Sequence, residues 1–149
     1  MKYPFLPKSN SKLELGEYWN LPLSNGWNAF FVILDIPAEK DRMRIFIGML
    51  DEMTREEKLD PNKKYTKALW QSSVHIKTIR ECGGLIQGII KPIVPEEELD
   101  SSGGQYCRVL RGYTAVRKAT KSDIARLKVQ TTSGYNVAKI VAEKHWVRR

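Results

Sequence analysis

GEYWNLPLSNGWNAFFVILDI, residues 16–36, decides the fold of this chain. Ser24-Asn25-Gly26 separates two runs rich in aromatic and β-branched residues, and Asn-Gly tolerates the positive φ angles of a type I′ turn. The stretch therefore predicts a β-hairpin with arms from Gly16 to Leu23 and from Trp27 to Ile36. Pro22 removes a backbone donor from the first arm, which predicts that this strand lies at an edge or carries a bulge. The second arm contains Ala29-Phe30-Phe31-Val32-Ile33-Leu34, with no polar residue alternating through it. A run of this kind reads as a strand buried on both faces, and it is the best core candidate in the chain.

Beyond Pro37 and the charged turn Glu39-Lys40-Asp41-Arg42, a third strand is expected from Arg44 to Leu50. Thr54 to Lys64 is polar, with Pro61-Asn62 as a turn signal, and reads as a short helical turn plus loop. Val74 to Ile79 alternates, Gly83-Gly84 follows, and Leu85 to Ile90 is apolar; this predicts two more strands joined by a glycine turn. Pro92 and Pro95 close that unit, and residues 96–104 read as an acidic, glycine-ended linker in which Glu96-Glu97-Glu98 is solvated. Tyr106 to Leu110 suits a last strand or a short helix. Thr120 with Asp123 three residues on fits a capping box, with Ile124 and Leu127 on one face behind it. A second helix is expected from Tyr135 to Trp146, with Val137, Ile140, Val141 and Trp146 for packing and Lys139, Glu143 and Lys144 for water. The element order gives an α+β fold: a curved antiparallel sheet, for which an SH3-like barrel is a candidate form, with the two C-terminal helices packed on one side.

The 149 residues suit a single domain, β-rich over 1–95, with the acidic linker over 96–104 and a basic helical part over 105–149. A chain this long buries roughly 70% of its unfolded surface without staples. Cys82 and Cys107 are the only cysteines and form no CxxC pair, so two reduced thiols in a cytoplasmic protein are expected. The amino-terminal residues lack a signal-peptide run, and no stretch is long and apolar enough for a membrane helix.

Charge is divided unevenly. Residues 101–149 hold 11 Lys/Arg against 2 Asp/Glu, residues 1–100 hold 14 against 15, and the net +8 therefore sits in the last third. A concentrated surplus predicts a face that meets something negative. Arg108, Arg111, Arg117, Lys118, Lys121, Arg126 and Lys128 are its candidate residues, with Tyr106, Tyr113, Tyr135 and Trp146 as candidate aromatic anchors. Nucleic acid is one such partner: Ser122 to Leu127 and Asn136 to Val141 superficially resemble a helix-turn-helix, with Lys139, Lys144, Arg148 and Arg149 for phosphates. The connection Lys128 to Asn136 is too long for that motif, which disfavours nucleic acid.

Catalytic chemistry finds little support. A nucleophilic cysteine needs a positioned base, and the pairs His75–Cys82 and His145–Cys107 are read more simply as incidental. No spacing suits a metal, and neither Gly83-Gly84 nor Gly103-Gly104 belongs to a phosphate-binding motif, so no cofactor is expected.

Four stretches resemble a family of bacterial polymorphic toxin systems, immunity protein 26. They are Leu15 to Gly26, with its Gly-Glu opening, Pro22-Leu23 and glycine turn; Gly48-Met49-Leu50-Asp51; His75 to Gly84 with Gly88; and Arg117 to Thr120 with Gly134-Tyr135 and Ala142 to Trp146. The resemblance implies a small, mainly β, non-enzymatic protein of the cytoplasm that binds one toxic effector and neutralises it. It carries over no catalytic residue. Immunity proteins that shield nucleases are often acidic; this chain is basic, which argues for an acidic toxin partner that is not a nuclease.

Overall fold

The computed structural model describes residues 2–38, 41–101 and 107–148. The hairpin forms: β1 (Glu17–Pro22) pairs antiparallel with β2 (Asn28–Asp35), Trp19 opposite Phe31 and Leu21 opposite Ala29. Its loop is longer than a type I′ turn. The Gly26 amide donates to Leu23 O and the Leu23 amide to Trp27 O, so Ser24 and Asn25 form the corner and Gly26 follows at φ +84°.

β3 (Arg44–Thr54), β4 (Trp70–His75) and β5 (Ile86–Ile89) complete most of a sheet ordered β5-β1-β2-β3-β4-β9, where β9 is the short strand Thr132–Ser133. Only β9 runs parallel to its neighbour. β1 is thus an interior strand and not an edge, but its pairing with β5 covers only Glu17 to Trp19 and shifts register between Tyr18 and Trp19. Pro22 lies beyond that pairing, where its missing donor costs no ladder bond.

The stretch after Val74 does not continue as a strand. It turns at Ile76 into α1 (Lys77–Glu81), and Ile76, Ile79 and Cys82, three residues apart, all point into the core. Over so short a window the two periodicities overlap, and alternation alone cannot tell them apart. β5 then crosses to the far edge beside β1, so the glycines join no hairpin with β4. Thr54 ends β3, and residues 55–64 form bends, a turn and irregular chain without a helix.

A second, antiparallel sheet, ordered β6-β7-β8, consists of β6 (Glu97–Leu99), β7 (Arg108–Arg111) and β8 (Thr114–Lys118). Part of the expected acidic linker is therefore a strand, with Glu97 opposite Arg111 and Leu99 opposite Val109. Gly103, Gly104 and Tyr106 lie outside the described residues. Helices α2 (Lys121–Arg126) and α3 (Val137–Trp146) follow. The fold is α+β with mainly antiparallel sheets, and the sheets are not closed into a barrel.

β2 explains the core. Ala29, Phe31 and Ile33 face one side with Trp19, Ile45 and Ile47, covered by Ile79 of α1 and by Ala138 and Ala142 of α3. Phe30, Val32 and Leu34 face the other with Tyr18, Phe46 and Leu50, covered by loop residues Leu59 and Ile93. Trp19 and Phe31 stack at 4.9 Å between ring centroids. Leu99, Cys107 and Val109 make a separate small core, against which Leu127 packs just after α2. The two C-terminal helices thus serve different sheets.

Among the described residues two main-chain joints tie the sheets together, besides the Gln71 side chain of β4, which bonds the Glu96 backbone just before β6. The β7–β8 turn docks on the end of β2: Gly112 has φ +62° and abuts Asp35, whose Oδ2 accepts the Tyr113 amide at 2.8 Å. The Tyr113 ring packs edge-on against Phe46 and its hydroxyl lies 2.6 Å from Ser73 Oγ. Residues 128–133 form the second joint. Lys128 O and the Gln130 amide bond Leu99 of β6, then Thr131 O accepts the Ser73 amide and β9 pairs with β4.

Candidate partner-binding face

The arginines of the basic segment meet carboxylates within the fold. Arg108 binds Asp100 at 2.7 Å and Arg111 binds Glu97 at 2.9 Å. Arg117 is the centre of the cluster, donating to both carboxylate oxygens of Glu97 and to both of Asp123. Arg126 reaches Asp123 at 2.9 Å. Asp123 also completes the expected capping box, accepting the Thr120 amide while its own amide donates to Thr120 Oγ1. The Arg117 guanidinium, aided by the Thr120 amide, holds the Asp123 carboxyl well below its usual range, and a hydrogen bond from Arg117 also lowers Glu97. Arg108, Arg111, Arg117 and Arg126 are therefore structural cations that fasten β6, β7, β8 and α2 together.

Lys118, Lys121 and Lys128 are exposed and make no ion pair among the described residues. Lys118 ends the open strand β8 and Lys121 begins α2 just after it, whereas Lys128 lies beside β6 at the opposite edge of the sheet. β8 is the edge of its sheet and all five of its residues are exposed. Val116 is 43% exposed, Ile124 of α2 50% and Val129 53%.

The aromatic candidates divide. Tyr113 is spent on the inter-sheet joint, where burial pushes its hydroxyl up to about 12. Trp146 is partly buried against the main core. Tyr135 is exposed, but it lies beside His75 and Lys77, near α1 and away from β8. Tyr106 is outside the described residues. Glu143, expected in water, is buried: it accepts the Ser24 amide and hydroxyl at 2.8 Å each, tying α3 to the hairpin loop.

The reactive-group candidates are equally committed. Cys82 is buried, its thiol donates to Tyr135 O, and burial pushes it up to about 11. Cys107 is buried in the small core and donates to Asp100 O. Among the described residues no group of three His, Cys, Asp or Glu could hold a metal ion, and no helix is long and apolar enough to cross a membrane. Between α2 and α3 the chain runs through the inter-sheet joint and β9, so the two helices do not form a helix-turn-helix.

One site escaped the sequence. A cleft of about 420 Å³ opens between the start of β4, β6 and residues 126–131. Glu98 lines it, only 8% exposed, and its Oε1 is fully buried with no hydrogen-bond partner. Burial pushes this carboxyl up, against the opposing influence of the Gln71 and Gln130 amides and of Lys128. Those amides have other partners as well, and neither reaches Oε1. Gln71 bonds the Glu96 backbone at both ends, and Gln130 Nε2 donates to Gly112 O. Three glutamates in a row carry no alternation, so nothing in the sequence marks the middle one as inward-facing.

No protein-family model, curated protein or solved structure matches this chain.

Proposed function

We propose that this chain is a non-catalytic binding protein of the immunity type, which neutralises a cognate bacterial toxin in the cytoplasm of the producing cell. The observation that carries the reading is the open β8 edge, exposed along its whole length, with Val116 and Lys118 in the strand and Lys121 and Ile124 in the helix that follows it. An unpaired edge offers backbone donors and acceptors to an added strand, apolar side chains give contact area, and unpaired lysines steer an acidic partner. Both cysteines are buried and bonded to carbonyls, which favours binding over nucleophilic chemistry.

The test is co-expression with the toxin encoded beside the gene. Rescue of growth and co-purification are expected, and the double variant Lys118→Glu/Lys121→Glu weakens both. A toxin that stays lethal and does not co-purify overturns the reading.

A further inference from the structure

We propose that a cleft beside α1 binds a small phosphate monoester with an apolar body, its phosphate held by Lys8, His75, Lys77 and Arg80. The cleft is built from the larger sheet and the amino-terminal segment and shares no residue with the β6-β7-β8 sheet, so toxin binding is not required for it.

The cleft encloses about 570 Å³ between residues 6–8, Met43 at the entry to β3, and the turn from β4 into α1. Small-molecule sites enclose roughly 300–1,000 Å³. Its charge is of one sign. Lys8, His75, Lys77 and Arg80 line it and no carboxylate does, although residues 1–100 as a whole hold slightly more acid than base. Lys8 and Lys77 make no ion pair among the described residues, and Arg80 meets only Glu81, at 3.5 Å with both side chains about half exposed. Asp41 precedes Met43 by two residues, but it accepts the Met43 amide and lies 3.9 Å from Arg44, which does not line the cleft.

His75 is set as a donor. Its Nδ1 accepts the Lys77 amide at 3.0 Å, which leaves Nε2 as the protonated nitrogen of the neutral ring, and Tyr135 packs edge-on against it. A guanidinium, two ammonium groups and an imidazole N–H match a dianion with several acceptor oxygens better than a single carboxylate. The remaining wall is apolar: Leu6, Met43 and Ile76 line the same cleft, the first two exposed. Bare phosphate would leave that wall in water, whereas an ester covers it, and the unbranched Met43 adapts to the shape of the body.

The experiment uses the protein alone, so its outcome is separate from that of the toxin test. Phenyl phosphate is titrated into isotopically labelled protein and amide shifts are followed by NMR, with benzyl alcohol as the neutral control and inorganic phosphate as the bare anion. Saturable shifts are expected at Leu6, Lys8, Met43 and residues 75–80, with inorganic phosphate at least about threefold weaker and benzyl alcohol without effect. Lys77→Gln and Arg80→Gln each weaken phenyl phosphate by about fivefold, Glu81→Gln tightens it by about twofold, and Lys118→Gln/Lys121→Gln leaves it unchanged. All of these side chains are exposed, and the spectrum itself reports whether each variant is folded. Absence of saturable shifts at these residues overturns the site, as do equal binding of benzyl alcohol and unchanged affinity in both α1 variants. Inorganic phosphate binding as tightly as the ester would mean an adventitious ion only, and overturns it too. A phosphotyrosine peptide that binds more than about tenfold more tightly than phenyl phosphate would make the ligand a protein segment and overturn the small-molecule assignment.

Discussion

Gly112→Ala isolates the joint on which the candidate face is mounted. Gly112 sits at φ +62°, and a Cβ there would overlap Asp35 Oδ2 and crowd Asp35 Cβ and Cγ. A left-handed backbone costs an L-residue roughly 1–2 kcal/mol. Asp35 must also rotate away, giving up its 2.8 Å bond from the Tyr113 amide. A hydrogen bond to a charged group contributes about 1.5–3 kcal/mol. The two effects together predict a loss of about 3–5 kcal/mol, equivalent to a fall in Tm on the order of 10 °C for a chain this long.

Urea denaturation followed by tryptophan fluorescence measures the loss, and a second background assigns it. In Asp35→Gly the whole side chain, Cβ included, and the bond are gone, so Gly112→Ala should then cost only the backbone term of roughly 1–2 kcal/mol. A loss below about 1 kcal/mol in the native background would refute the joint. An equal loss in both backgrounds would place the strain elsewhere than at Asp35.

Three further outcomes follow from the same structure. Glu98→Gln should leave stability equal or higher at neutral pH: a carboxyl whose folded pKa is raised by burial destabilises the folded state as pH rises through that value, and the amide removes this slope. Denaturation midpoints of the variant and the native chain across pH 4 to 8 test the sign, and a large loss at neutral pH would contradict it. Glu97 and Asp123 act in the opposite direction. Their folded values lie below the ordinary 4.5 and 3.8, so their contribution is complete above that range and disappears on further acidification. Arg117→Lys, which cannot serve both carboxylates at once, should shrink that acid-side loss; an unchanged acid profile would mean that Arg117 does not hold them. Finally, the thiols of Cys82 and Cys107 should react with a disulfide reagent only upon unfolding, and rapid labelling of the native chain would show that the burial is wrong.

What the sequence discloses depends on how local the determining interaction is. β2 is legible because its six apolar residues bury on both faces whatever packs there, and the Thr120–Asp123 box because both partners lie within one helical turn. The Val74–Ile79 stretch misleads because its buried positions satisfy two periodicities. Glu97 and Glu98 mislead for a different reason: a charged strand is stabilised by what faces it, and Arg111 and Arg117 lie 14 and 20 residues away. Glu143 is similar, since its partner Ser24 is 119 residues distant. The type I′ expectation fails more mildly, because Asn25-Gly26 also suits a three-residue loop with glycine last.

The division of charge bears on how a partner would be held. Among the candidate residues of the basic segment the four arginines are paired and the three lysines are not, as expected when planar forks fasten carboxylates and compact ammonium groups remain solvated. Solvated lysines speed encounter more than they tighten a complex, so reversing Lys118 and Lys121 should slow association and flatten its salt dependence with little change in dissociation. Arg117 is unsuitable for this test, because reversing it would dismantle the β6–β8–α2 cluster. Lifetime must come from contact along β8. Val116 is 43% exposed, so a docked strand would remove roughly half of a valine side chain from water, about 1 kcal/mol. Val116→Asp should then speed dissociation by about fivefold or more while leaving association nearly unchanged. If the lysine reversals and Val116→Asp both acted on dissociation alone, or neither altered either rate, the partner would be held by some other surface than the β8 edge.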